Sequence, residues 1–304
     1  MNRQELYFRM LLIRKTEEKI EELFSKGLLR GTTHGYKGQE AVAVGLLIHI
    51  DCNFDYVTGN HRSHGHYLAL NPDPYPLIAE LMGKETGLVN GRGGSQHIIY
   101  KNFITNGITG GMVPIATGLA FSQKVKTNNG ICISLFGDGA MNEGYVMEAL
   151  NLAAVYELPI IFALENNNYA MSTPFSYSCR GNIQDRIHGF GLDYYQTEAK
   201  DVEIVSDQCK DLISFVRTKR KPIFIEFKTH RFSGHSKSDK REYVDPHLDE
   251  YWHKNDPLLR LENRLEEKMV KEIKQKVENM IEESLARAMQ DADPVIEGRK
   301  NENL

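Results

Sequence analysis

Leu6, Met10, Ile13, Ile20 and Leu23 recur near one face of a charged segment, which predicts an amphipathic helix over Leu6–Lys26, ended by Gly27. Gln39–Ile50 predicts a second helix, Asp51–Asn60 a turn and short strand, and Tyr75–Met82 a helix whose start Pro74 and Pro76 blur. Gly83–Asn106 is rich in glycine and polar residues and has no period, the composition of a binding loop. Val113–Val125, with Pro114 in its first turn, predicts a helix of small residues. Ile131–Phe136 is an apolar run of buried-strand length. Asn142–Tyr156 then sets Val146, Ala149, Leu150 and Ala153 at helical spacing, and Ile160–Leu164 restarts as a strand after Pro159. Beyond it come Ile183–Phe190 as helix or loop, a strand near Tyr194, a helix over Ile204–Lys219 and a strand over Pro222–Thr229. Asn255–Met289 predicts a charged, largely helical stretch, and Asp291–Leu304 a polar, frayed tail.

Strands alternating with helices predict an α/β chain with a doubly wound, mostly parallel sheet, helices on both faces and a helical C-terminal region. The expected division is one domain over residues 1–290 and a tail over 291–304. No internal repeat or low-complexity tract interrupts it. At 304 residues the chain can bury a large core, and 41% hydrophobic with 26% charged residues is ordinary for a globular protein. A net charge of -4 gives no reason to expect a nucleic-acid partner. Cys52, Cys132, Cys179 and Cys209 form no CxxC pair and no metal-ligand spacing, so a reduced cytoplasm is expected. The N-terminus has no apolar signal core and no transit-peptide pattern, and no uncharged stretch is long enough to span a membrane. The expectation is a prokaryotic source or a mature form.

The chemistry concentrates in Gly137-Asp138-Gly139-Ala140-Met141-Asn142-Glu143 and Glu165-Asn166-Asn167-Asn168-Tyr169. The two runs sit at the ends of one strand–helix–strand unit, and ligands of parallel sheets bind at the carboxyl ends of strands. Gly137 and Gly139 allow a tight turn and close backbone approach. The amides of Gly139 and Ala140 lead into a helix N-terminus that favours an anion. Asp138 and the Asn167 side-chain oxygen suit a hard divalent cation such as Mg²⁺, and the cation would carry a diphosphate.

These runs resemble the thiamin diphosphate motif, which opens on Gly-Asp-Gly and closes on Asn-Asn. Gly38-Gln39-Glu40-Ala41, His61-Arg62-Ser63-His64-Gly65, Gly91-Arg92-Gly93-Gly94-Ser95-Gln96-His97, Asn106-Gly107-Ile108 and Gly234-His235-Ser236 follow in the family's order. Together they resemble the alpha subunit of the thiamin diphosphate-dependent decarboxylase component of 2-oxo acid dehydrogenase complexes, a family that includes acetoin dehydrogenase alpha subunits. The resemblance covers about Met1–Glu266.

The resemblance implies the thiamin diphosphate-binding fold and assigns roles. Asp138 and Asn167 would bind Mg²⁺ through side chains and Tyr169 through its carbonyl. Gly139 and Ala140 would hold the diphosphate through amides, with Arg62 as a bidentate arm. His61 stands where many relatives have tyrosine. Gly107 and Thr109 align with backbone positions that hold the aminopyrimidine ring, and Met171 with the residue that props the cofactor into its bent form. His235 would act near the diphosphate and reacting centre. His64 is a second candidate, either lining the substrate entrance or capping a turn. Many relatives carry a second histidine two places before His235, where this chain has Ser233. Ser236 and Ser238 match serines phosphorylated in mitochondrial relatives, a regulation not expected here.

In the family a separate beta subunit supplies the activating glutamate and the ring pocket, and the product passes to a lipoyl-bearing acyltransferase. This chain has one cofactor half and no second comparable half, which predicts inactivity alone and an α2β2 assembly. The expected substrate is pyruvate, with acetoin as the alternative, while a branched-chain 2-oxo acid fits less well. Rival readings are a transketolase-like half enzyme and a non-catalytic scaffold.

Overall fold

The computed structural model describes residues 2–295 except 30, 127, 237 and 238. Its strands are β1 (Tyr56–Gly59), β2 (Ile99–Tyr100), β3 (Phe103–Thr105), β4 (Cys132–Gly137), β5 (Ile160–Asn166), β6 (Tyr169–Ala170), β7 (Thr173–Pro174), β8 (Asp193–Glu198) and β9 (Ile223–Lys228). Seven of them form one sheet in the order β2-β3-β1-β4-β5-β9-β8. Every pairing is parallel except β2 with β3 at one edge. β6 and β7 make a separate hairpin.

Alternate side chains of the central strands feed two cores, because successive residues of a strand point to opposite faces. Ile133, Leu135, Ile161, Ala163, Ile223 and Ile225 pack toward helices Arg3–Ser25, Glu40–Leu47 and Val202–Lys219. Phe136, Ile160, Phe162, Leu164 and Phe224 pack toward Met112–Val125, Gly144–Val155 and Ile183–Gly189. Burial on both faces explains why these strands read as continuous apolar runs. The expected doubly wound architecture is therefore present.

Local differences have physical causes. The expected helix at Asn142 starts instead as a 3-10 turn over Asp138–Asn142, followed by the α-helix Gly144–Val155. A helix not expected from the sequence, Pro246–Lys254, precedes the expected run over Asn255–Met289, which is itself broken into Pro257–Glu262 and Glu267–Ala288. Asp245 and Asp256 cap the first two helices and a proline opens each, so the chain restarts there. His64–Leu70 is a helix that was expected only as a motif.

Gly83–Asn106, expected as a ligand loop, contains β2 and β3 and is organised by a protein carboxylate. The buried Glu80 accepts the backbone N–H groups of Val89, Gly91, Gly93 and Gly94 at 2.7–2.9 Å. Part of its glycine content therefore serves Glu80. The polar tail is tied down at its start: Asp291 accepts from the Tyr75 hydroxyl at 2.7 Å, and the Ala292 carbonyl accepts the Glu85 N–H at 3.0 Å. Residues 296–304, and Ser238, lie outside the described residues.

Candidate active site

The chain leaves β1 toward β3 on one side and β4 toward β5 on the other, so the strand order reverses between β1 and β4. Open parallel sheets bind ligands in the crevice that such a reversal leaves at the strand carboxyl ends. Here Asn60-His61-Arg62 follow β1, Asp138 follows β4, Asn167 follows β5, Gly107 lies just past β3, and the His235 loop follows β9. They converge on a cleft of about 380 Å³. His61, Arg62, Gly107, Thr109, Asp138, Gly139, Ala140, Asn167, Tyr169, Met171 and His235 all line it.

The cation-binding expectation can be tested on orphaned atoms. Asp138 is 2% exposed and its Oδ2 has no protein partner; Asn167 is 6% exposed and its Oδ1 has none either. The Asn167 Nδ2 donates to Gln39 Oε1 at 3.0 Å, which fixes the amide and leaves its oxygen for a ligand. Buried polar atoms are normally bonded, so two orphaned oxygens at neighbouring strand ends fit the ligand set of a divalent cation. Among the described residues no three His, Cys, Asp or Glu side chains cluster to hold a metal. The oxygen set of carboxylate, carboxamide and carbonyl suits Mg²⁺ instead. A Cβ at Gly139 would lie 2.8 Å from that of Ala170, so glycine lets the turn pack against the β6–β7 hairpin. Met171, at the tip of that hairpin, has φ of 54° and is 62% exposed.

Arg62 does not point free into the cleft. Its guanidinium donates to the Gly35 carbonyl at 2.8 Å, to the His235 carbonyl at 2.8 Å and to His235 Nδ1 at 3.0 Å. The His235 Nδ1 therefore accepts, which puts the ring proton on Nε2. His34, His61 and His235 form a cluster with ring centroids 4.8–5.5 Å apart. Burial and then the Arg62 charge hold all three imidazoles neutral, lowered to about 4, about 2 and about 3 respectively. Burial pushes the Asp138 carboxyl up to about 6, against the pull of Arg231 and Arg62.

His64, expected at a substrate entrance or a turn, does not reach the cleft. It is fully buried and outside the cleft lining, so it cannot line a substrate entrance. Its Nδ1 lies 3.2 Å from Glu17 Oε1 and its Nε2 2.8 Å from Ser95 Oγ, which pins the segment leading to Gln96.

Several lining residues had no assigned role in the sequence. His34 is one, and Gln96 is another; Gln96 Oε1 would lie 2.1 Å from a Cβ at Gly107. Asn60 Oδ1 accepts the Arg62 N–H at 2.7 Å, while its Nδ2 donates to Glu165 Oε2 at 3.2 Å. Glu165 also binds the Tyr36 hydroxyl and His66 Nε2. Burial alone would raise its carboxyl, but His66, Tyr36 and Asn60 hold it lowered. Arg231, 4% exposed, donates to the Met171 carbonyl at 3.2 Å. Asn60, Gln96 and Glu165 stand beside or within the motif runs, which was a local signal; His34 stands in none of them.

The model of the dehydrogenase E1 component family matches residues 8–297. A pyruvate dehydrogenase E1 component subunit alpha from Zymomonas mobilis is 42% identical over 79% of this chain and 69% of its own length. One from Rhizobium meliloti is 36% identical over 95% of this chain and 86% of its own. The alpha subunit of a Bacillus subtilis acetoin:2,6-dichlorophenolindophenol oxidoreductase is 41% identical over 78% and 72% respectively. The chain thus belongs to the dehydrogenase E1 component family, oxidoreductases that depend on thiamin diphosphate, usually with a divalent cation such as Mg²⁺.

Proposed function

We propose that the chain is the alpha subunit of a pyruvate dehydrogenase (acetyl-transferring) that decarboxylates pyruvate and acylates a lipoyl group with the help of a beta subunit. The observation that carries this reading is the pair of orphaned buried oxygens, Asp138 Oδ2 and Asn167 Oδ1, at the ends of adjacent parallel strands. The pyruvate dehydrogenase names of its relatives support the substrate.

When bound, thiamin diphosphate supplies a nucleophilic carbon and an electron sink for the carbanion left by loss of CO₂. The chain's own residues would hold and orient it. Asp138, Asn167 and the Tyr169 carbonyl would take the cation; the Gly139 and Ala140 amides and Arg62 would take the diphosphate. His235, neutral and with Nε2–H available, would donate a hydrogen bond to developing negative charge without adding a full charge of its own. His34 and His61 beside it are likewise held neutral. Met171 would support the bent cofactor from a left-handed backbone position.

The alpha-subunit names of the relatives are the ground for a beta subunit and an α2β2 assembly. A lipoyl-bearing acyltransferase would be the acceptor. A cytoplasmic location fits the four free, buried cysteines. Among the described residues no helix is long and apolar enough to cross a membrane.

A second reading, acetoin cleavage, is favoured by the Bacillus subtilis relative. Co-expression with the beta subunit and turnover of pyruvate, acetoin and a branched 2-oxo acid, with a lipoyl domain as acceptor, tests both. The highest kcat/KM is expected for pyruvate. Preference for acetoin would overturn the pyruvate assignment, and full activity of the isolated chain would overturn the need for a partner.

A further inference from the structure

β9 buries an acid within an apolar run. Ile223, Phe224, Ile225 and Phe227 are fully buried, and Glu226 among them is 4% exposed. A buried carboxylate is costly unless donors meet it. Two do: the Tyr194 hydroxyl of β8 donates to Glu226 Oε2, and Asn166 Nδ2 at the end of β5 donates to Glu226 Oε1 at 2.7 Å.

A carboxylate only accepts, so Asn166 turns its Nδ2 toward β9 and its Oδ1 the other way. That oxygen accepts the Asn168 N–H at 3.0 Å. The Asn166 carbonyl is fixed separately, by the Thr229 N–H at 3.0 Å. The side-chain bond closes a turn of the Asx type, within which Asn168 takes a left-handed φ of 69°. With the Asn166 amide turned over, its Nδ2 would meet the Asn168 N–H and the turn would lose its bond. Asn167 sits inside this turn and Tyr169 follows it. The turn therefore decides where the Asn167 oxygen and the Tyr169 carbonyl stand relative to Asp138. Glu226 itself does not line the cleft.

We propose that Glu226 is a positioning residue for the cation: through Asn166 it selects the turn that brings the Asn167 oxygen and the Tyr169 carbonyl to the cleft. This rests on the reading of Asp138, Asn167 and Tyr169 as cation ligands. What Asn166 needs is an acceptor, not a charge. Glu226→Gln still offers Oε1 to Asn166, with its amide donating to the Tyr194 oxygen and the Tyr194 proton turned to Gln196 Oε1, 3.1 Å away. Glu226→Met offers no acceptor.

The test uses the chain assembled with its partner subunit. Mn²⁺, which takes the same oxygen ligands as Mg²⁺, is the probe, and its dissociation constant at saturating thiamin diphosphate is read by electron paramagnetic resonance. Glu226→Met and Asn166→Ala should each weaken Mn²⁺ binding by about tenfold or more, the usual loss when a partner behind a metal ligand is removed, and Glu226→Gln should stay within about threefold of the parent. Because Glu226 acts through Asn166, adding Glu226→Met to Asn166→Ala should cost less than about threefold more. Additive losses, an unchanged constant in Glu226→Met or Asn166→Ala, or a loss in Glu226→Gln equal to that in Glu226→Met would each overturn the proposal. If Glu226→Met does not assemble, Asn166→Ala and Glu226→Gln carry the same decision. Asp138→Asn is the control. Unchanged Mn²⁺ binding there would overturn the cation reading itself, whereas weakening by Asp138→Asn but not by Glu226→Met would overturn only the positioning role.

Discussion

Arg62 donates to His235 Nδ1 at 3.0 Å and to the carbonyl of the same residue at 2.8 Å, tying the loop after β1 to the loop after β9. The arm expected to grasp a diphosphate thus also sets the tautomer of the expected catalytic histidine. Arg62→Lys keeps the charge but loses the fork that reaches Gly35 and His235 together. We expect both Arg62→Ala and Arg62→Lys to raise the KM for thiamin diphosphate by about tenfold or more, with lysine giving little rescue. In Arg62→Ala the His235 pKa should rise toward 6.5, since the Arg62 charge stands next after burial among the causes that depress it. NMR titration of the imidazole checks this; an unmoved pKa would show that burial alone controls it.

Asp138→Asn separates binding from folding. Losing the charged ligand should weaken Mg²⁺–thiamin diphosphate binding by about 100-fold, measured calorimetrically in the assembled enzyme. The apo chain should melt no lower than the parent, because burial already disfavours the Asp138 carboxylate. A large drop in apo Tm would mean that Asp138 is a structural residue.

Two pH effects of opposite sign follow. The Asp138 pKa is raised in the fold to about 6 from 3.8, so its contribution to apo stability is fully present at low pH and lost as pH rises from about 4 to about 6. Cation binding needs the carboxylate, so the affinity for Mg²⁺–thiamin diphosphate should fall as pH drops below about 6. His34, His61 and His235 have depressed pKa values, so their contribution is present above 6.5 and lost as pH falls through about 4, about 2 and about 3 respectively. Apo unfolding followed from pH 7 to pH 5 should therefore show the histidine loss, partly offset by Asp138. Mutation of His34 to Gln should reduce the slope.

His64→Ala should cost about 2 kcal/mol or more in stability, because Glu17 and Ser95 each lose a buried partner. The lost activity should be recovered by His64→Gln or by lower temperature, with kcat per folded molecule near that of the parent. A large fall in kcat with intact stability would restore a direct catalytic role.

The strand–helix–strand unit from β4 to β5 was legible in the sequence because its signals are local. Apolar runs of strand length, helical spacing and turn glycines lie within about thirty residues, and the parallel rule puts both strand ends on one edge. Asp138 and Asn167 could therefore be named without coordinates. Met171 and Gly107 came only through resemblance to the family. His34, Glu165 and Arg231 gained roles only from the tertiary structure. Each meets partners from distant segments, as when Glu165 on β5 joins Tyr36, Asn60 and His66. No periodicity records which way such a side chain turns or what buries it. His64 shows the converse: its motif marked it as functional, but packing against Glu17 and Ser95 places it behind the site. The sequence by itself determined the diphosphate-binding edge of the sheet, whereas long-range packing decided which histidines face it and which charges tune them.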